Sequence, residues 1–238
     1  ELIDEELSDA ESSISVWLKV YKSTASDTAF SALERLYRST LDWHSLLVLL
    51  SERAEDAEPE AVGDFYIRII DVVVSHLEDG DGALETIQSA LSITDDVRLF
   101  DFLKTLFLDR DKCDAIELDR GQFAILLEPG LAPDDGETRF ECHLAQAETS
   151  EEESTGQLKS LRAAAGEMIT LERPDEAYTL YARCFESTLS EIDADALRAL
   201  ETPALKAKWY QLLGECVSDT RVEDDVRLAR LFELSLLA

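Results

Sequence analysis

The feature that most constrains this chain is the stretch Ser26 to Ala54, SDTAFSALERLYRSTLDWHSLLVLLSERA, in which two helix patterns are joined by a minimal break. Phe30, Leu33, Leu36 and Tyr37 share one helical face, and Trp43, Leu46, Leu47 and Leu50 repeat the i, i+3, i+4, i+7 rhythm of a buried stripe. Only the residues around Ser39 to Asp42 separate the two. A connection that short makes the helices antiparallel neighbours, so the stretch reads as a helical hairpin, the unit from which α-solenoids are stacked.

The same rhythm fills the rest of the chain. Leu7 to Lys22 places Ile14, Trp17, Leu18 and Tyr21 at helical spacing, and Val62, Phe65, Tyr66, Ile69, Ile70, Val73 and Leu77 keep one face apolar for about four turns. That helix is expected to end at Glu78 to Gly82, with a glycine in the left-handed conformation and Asp81 capping the next helix, Ala83 to Ile93. Thr94-Asp95-Asp96 is a further cap signal for Val97 to Leu108. Leu103, Leu106 and Phe107 stand seventy residues after Leu33, Leu36 and Tyr37, and Asp109 to Leu127 is expected as a break and one helix matching Thr40 to Arg53.

Glu128 to Gly136, with two prolines and two glycines, reads as a loop. A helix over Glu137 to Ala147 then leads to Glu148 to Gly156, ETSEEESTG, expected as an exposed, dispensable acidic insertion at 148–156. Further helices follow from Leu158 to Leu171, from Ala177 to Leu189 behind a Pro174-Asp175-Glu176 start signal, and over Ala194 to Leu200, Leu205 to Val217 and Val226 to Leu237. The expected architecture is all-α: a right-handed α-solenoid of stacked antiparallel hairpins, twelve or thirteen helices in a single domain over residues 1–238. Leu33, Leu36, Leu47, Phe65, Ile69, Leu103, Leu106, Leu161, Tyr181 and Leu213 are its expected core.

Ala83, Ile87 and Ala90 share their spacing with Ala177, Tyr181 and Cys184 and with Ala29, Leu33 and Leu36. This pattern resembles the second helix of a tetratricopeptide repeat, and Tyr210, Leu213, Gly214 and Val217 resemble its first, with Leu161, Ala164, Ala165 and Met168 a looser match. The chain departs from the family in period, with 54 and 94 residues between matching alanines where the family has 34, and Asp71 stands where the family has glycine. The resemblance implies a curved stack of hairpins that binds peptides or other proteins.

Charge bounds the partner. Fifty-two acidic residues against 22 basic ones give a net charge of -30, a field that repels a nucleic-acid backbone and favours a basic protein. Such acidity also keeps a protein dispersed or suits a salty habitat. The longest apolar runs, Leu46 to Leu50 and Ile69 to Val74, are too short to cross a bilayer, the opening residues show no signal-peptide pattern, and Cys113, Cys142, Cys184 and Cys216 are spaced as core residues. The expected location is cytoplasmic. Starting at Glu1 and ending on an apolar Leu236-Leu237-Ala238, the sequence reads as a piece of a longer chain.

No catalytic set stands out. His44, His76 and His143 lie at no metal-ligand spacing, Cys142-His143 point apart on a helix, and the phosphate-cradling and nucleophile-elbow motifs are missing, Gly80-x-Gly82 being a turn. Asp95-Asp96 and Asp134-Asp135 read as helix caps, and Trp17, Trp43 and Trp209 as core. The expectation is therefore no enzyme, no cofactor and no metal, but a protein-protein interaction scaffold or regulatory adaptor segment that fits a basic partner. Two alternatives are an acidic mimic of nucleic acid, which would occupy a DNA-binding protein, and a sensor region of a larger multidomain enzyme. The last helix is apolar on more than one face, so Leu228, Leu231, Phe232 and Leu236 are the candidate partner-binding residues, covered by a second copy, by other helices of a parent chain or by a partner protein.

Overall fold

Short polar side chains start most of the helices. Oxygens of Ser26, Asp42, Asp79, Asp96, Asp109, Ser154 and Ser190 each accept a backbone N–H from the first turn that follows. The computed structural model describes residues 2–200, 202–218, 227 and 231, and among them the chain is all-helical, with thirteen α-helices and no strand. Contacts divide it into two compact units, residues 1–119 and 120–238.

The first unit holds α1 (Leu2–Thr24), α2 (Asp27–Ser39), α3 (Trp43–Glu55), α4 (Pro59–Val72), α5 (Gly80–Ile93), α6 (Val97–Leu108) and α7 (Arg110–Ala115). The expected hairpin is α2 and α3. Arg53 near the end of α3 pairs with Asp27 at the start of α2 at 2.5 Å, as antiparallel neighbours require. Both α1 and α3 pack on α2, and both α3 and α5 pack on α4. Phe107, Leu33, Leu46, Leu50, Ile70, Ile87, Leu99 and Leu103 are fully buried, and each such side chain contributes roughly 1.5–3 kcal/mol of burial.

The second unit holds α8 (Arg120–Leu127), α9 (Gly136–Thr149), α10 (Thr155–Thr170), α11 (Pro174–Thr188), α12 (Glu191–Ala199) and α13 (Pro203–Ser218). Consecutive helices from α8 to α11 pack on one another, and α11 meets both α12 and α13. Arg139 near the start of α9 reaches Glu167 near the end of α10 at 3.3 Å, so these two are antiparallel as well. Pro174 occupies the first turn of α11, as its missing N–H suits. Phe185, Ala194, Leu197, Trp209 and Leu213 centre the core at the α11, α12 and α13 end.

Several local expectations are corrected. The left-handed residue after α4 is Glu78 (φ 53°), reached through a wide π turn over Val73–Leu77, and the cap of α5 is Asp79. Gly80 serves a close approach instead: a Cβ there would stand 2.4 Å from the Ile116 carbonyl oxygen. Asp109 to Leu127 is two helices, not one. Ile116 and Leu118 are both buried two residues apart, which one helix face does not allow, and Glu117 between them turns left-handed (φ 55°).

The 148–156 segment is acidic and largely exposed, yet it is not an added loop. Helix α9 runs to Thr149 and α10 starts at Thr155, so Ser150 to Ser154 is a hairpin connection of ordinary length. It is also pinned. Buried Gln157 accepts from the Glu153 N–H at 2.8 Å and donates to the Ala147 carbonyl at 3.2 Å. Of the expected core, Leu33, Ile69, Leu103, Leu106, Leu161 and Leu213 are buried, whereas Leu36, Leu47, Phe65 and Tyr181 are half-buried. Phe65 is roofed by the Arg68 guanidinium and meets Phe30 edge-on, and Leu47 lines a groove.

Candidate functional site

The groove that Leu47 lines opens over α4 in the first unit, with α3 and α5 as its walls and a volume of about 290 Å³. Its walls are polar. Helix α3 contributes Ser51 and Glu55, and α5 contributes Glu85, Thr86 and Ser89, with Ser51 one turn before Glu55 and Ser89 one turn after both Glu85 and Thr86. Its floor is apolar, made by Leu47 and buried Ala54 and Ile69. Tyr66 of α4 completes the lining.

Charge in the groove is of one sign. Two of the described lining residues are carboxylates and none is a lysine or arginine. Among the described residues neither Glu55 nor Glu85 is engaged in an ion pair. Glu55 is also the last residue of α3, where the unsatisfied carbonyls of the helix terminus add to the negative potential. The phenol of Tyr66 is held above its ordinary range, by burial first and by the Glu55 carboxylate second, so it stays a neutral donor. The hydroxyls of Thr86 and Ser89 donate to carbonyls of their own helix, at 2.7 Å to Gly82 and 2.9 Å to Glu85, which leaves their oxygens to accept. Such a lining suits a cation on an apolar stem, the methylenes matching the apolar floor and the charged head matching the carboxylates.

The residues singled out by sequence are scattered. Leu228, Phe232 and Leu236 lie outside the described residues, while Leu231 is helical and 44% exposed. His76 lies in the π turn, its ring stacked on Trp43 with centroids 3.6 Å apart, and His143 stands 3.9 Å from Glu128. Trp209 is buried against Phe185. Asp96 caps α6, and Asp135 precedes α9 and accepts from the Thr138 hydroxyl at 2.7 Å. Among the described residues no group of three or more histidine, cysteine, aspartate and glutamate side chains is placed to hold a metal ion. No described helix is long and apolar enough to cross a membrane.

Sequence reasoning missed Glu55, Glu85 and Tyr66. Their signal was present as polar pairs one turn apart, Ser51 with Glu55 and Glu85 with Ser89, on helices otherwise read for their apolar stripe. What was missing was the knowledge that α3 and α5 flank the same helix. No family model, curated protein or solved structure matches the chain.

Proposed function

We propose that this chain is a non-catalytic protein-interaction segment, and that the groove between α3 and α5 receives a lysine or arginine side chain from a basic stretch of its partner. The observation that carries this reading is the lining itself: two carboxylates above an apolar floor, with no lysine or arginine among the described lining residues. A net charge of -30 supports it, because it draws basic segments towards the surface before any specific contact forms. Within each unit, antiparallel neighbours, α2 with α3 in the first and α9 with α10 in the second, support the proposed reading as hairpins of a right-handed α-solenoid of the tetratricopeptide kind. In that reading the groove is one of the clefts between successive hairpins.

The test is calorimetric titration with short peptides matched in apolar content and carrying either Lys and Arg or Asp and Glu. Binding by the basic peptides alone, weakened by salt, is expected. Glu55→Gln and Glu85→Gln should each weaken it about fivefold to tenfold, the effect of losing one charge-assisted contact worth about 1 kcal/mol or slightly more. Equal binding of acidic and basic peptides, or an affinity unmoved by both substitutions, would overturn the proposal.

A further inference from the structure

A second groove, also about 290 Å³, lies on the other side of α3, walled by α1 and α3 over α2. The two grooves share α3 as a wall. Leu47, Ser51 and Glu55 face one, and His44, Val48 and Glu52 face the other. Between them Val48, Glu52 and Glu55 are exposed, so the ridge that separates the grooves is open to solvent. Each groove is also lined by a tyrosine of the helix beneath it, Tyr37 of α2 and Tyr66 of α4.

Their chemistry differs. The second groove offers Leu18, Leu49 and Val48, the last 57% exposed, and it carries Lys22 opposite Glu52. Lysine in the lining disfavours another cation there, whereas the aliphatic surface favours an apolar side chain. Crossing α3 from groove to groove spans about one helix diameter, roughly 10 Å with side chains. In a polyproline II segment residues three apart point the same way and lie about 9 Å apart.

We infer that the two grooves act as paired subsites for one extended segment of a protein partner: a basic residue enters the α3/α5 groove, and an aliphatic residue three positions away enters the α1/α3 groove. This inference rests on the proposed reading of the α3/α5 groove. Complementarity fixes the occupant, since the acidic groove takes the cation and the groove holding Lys22 takes the aliphatic group. It also gives the site a register, because shifting the aliphatic residue by one or two positions turns it away from its groove.

The experiment uses the whole chain and synthetic peptides with one arginine in a glycine-serine-proline background, to which a leucine is added one, two or three positions away on either side. Leucine three positions from arginine on one side should strengthen binding about tenfold over the arginine-only peptide, and leucine at the other spacings by less than about threefold. Val48→Gln is an exposed, charge-neutral change. It should erase that gain and leave the affinity for the arginine-only peptide unchanged. If the arginine-only peptide binds but leucine adds nothing at any spacing, or adds as much to V48Q as to the unaltered protein, the second subsite is overturned and the first stands. If the arginine-only peptide does not bind, the α3/α5 reading fails and this inference fails with it.

Discussion

Arg162 on α10 clasps Asp193 on α12 with both arms of its guanidinium, Nε to Oδ1 and Nη2 to Oδ2, each at 2.7 Å, and the carboxylate it holds is wholly buried. The hydroxyl of Thr188 lies 3.2 Å from the same carboxylate. The pair ties α12 to a helix that precedes it by a full hairpin. Removing one partner strands the other: Arg162→Ala should lower stability by about 3 kcal/mol, because an uncompensated carboxylate remains inside. Arg162→Ala with Asp193→Ala should recover part of that loss. Denaturant titration of the two single variants and the double variant gives the coupling, and a coupling near zero would show the pair to be incidental.

Two glycines should respond to alanine in opposite directions. At Gly80 the added methyl meets the backbone of Ile116 to Leu118, which cannot move aside cheaply, so Gly80→Ala should destabilise by about 1–3 kcal/mol. At Gly166, inside α10, among the described residues nothing beyond the local helix backbone lies within 4 Å of the new carbon. Gly166→Ala should therefore stabilise by about 0.5–1 kcal/mol through helix propensity alone. Thermal melts of both variants check the contrast.

The turn between α9 and α10 should prove necessary despite its polar composition. The Ser154 hydroxyl accepts the Gln157 N–H at 3.1 Å as the cap of α10, and Ser154→Ala should cost about 1 kcal/mol. Deleting Ser150 to Ser154 removes the cap and the connection together, and a drop of many degrees in Tm is expected. An unchanged Tm would mean that the helices do not depend on this turn.

Thiol and phenol ionisation should be visible as alkaline instability. Burial, with Glu128 beside it, pushes Cys142 up to about 12, and burial, with Asp193 nearby, pushes Cys184 to about 11. Tyr178, buried beside Glu186 and Glu215, is pushed up to about 12. All three folded values lie above the ordinary ones, so the stability they contribute is intact below about 9 for the thiols and 10 for the phenol, and it is lost as pH rises towards the folded values. At pH 8 a disulfide reagent should leave Cys142 and Cys184 unmodified in the folded protein and label both in denaturant. Rapid labelling of either in the native state would contradict their placement.

Helix identity was legible because apolar periodicity and side-chain caps are local properties. Asp96 and Pro174 announced their helices, and Leu33, Leu103 and Leu213 announced the core. Contacts between distant segments were not legible. The glycines of Glu78 to Gly82 suggested a left-handed helix end, but Gly80 is fixed by the backbone at Ile116, which no local pattern reveals. The resemblance to a tetratricopeptide first helix rests partly on Gly214, yet among the described residues nothing lies within 4 Å of a Cβ placed there. The groove was hidden for the same reason. Glu55 and Glu85 are thirty residues apart, and only the packing of α3 and α5 on α4 makes them facing walls.

The most direct test of the account is a hydrogen-exchange footprint of the whole chain with and without a saturating lysine- and arginine-rich peptide. Slower exchange confined to the segments around Leu47 to Glu55, Tyr66 to Ile69 and Glu85 to Ser89 is the expected result, with the second unit unchanged. Binding that leaves these three segments unprotected, or protects the second unit instead, would contradict the assignment of the α3/α5 groove as the site of a basic partner.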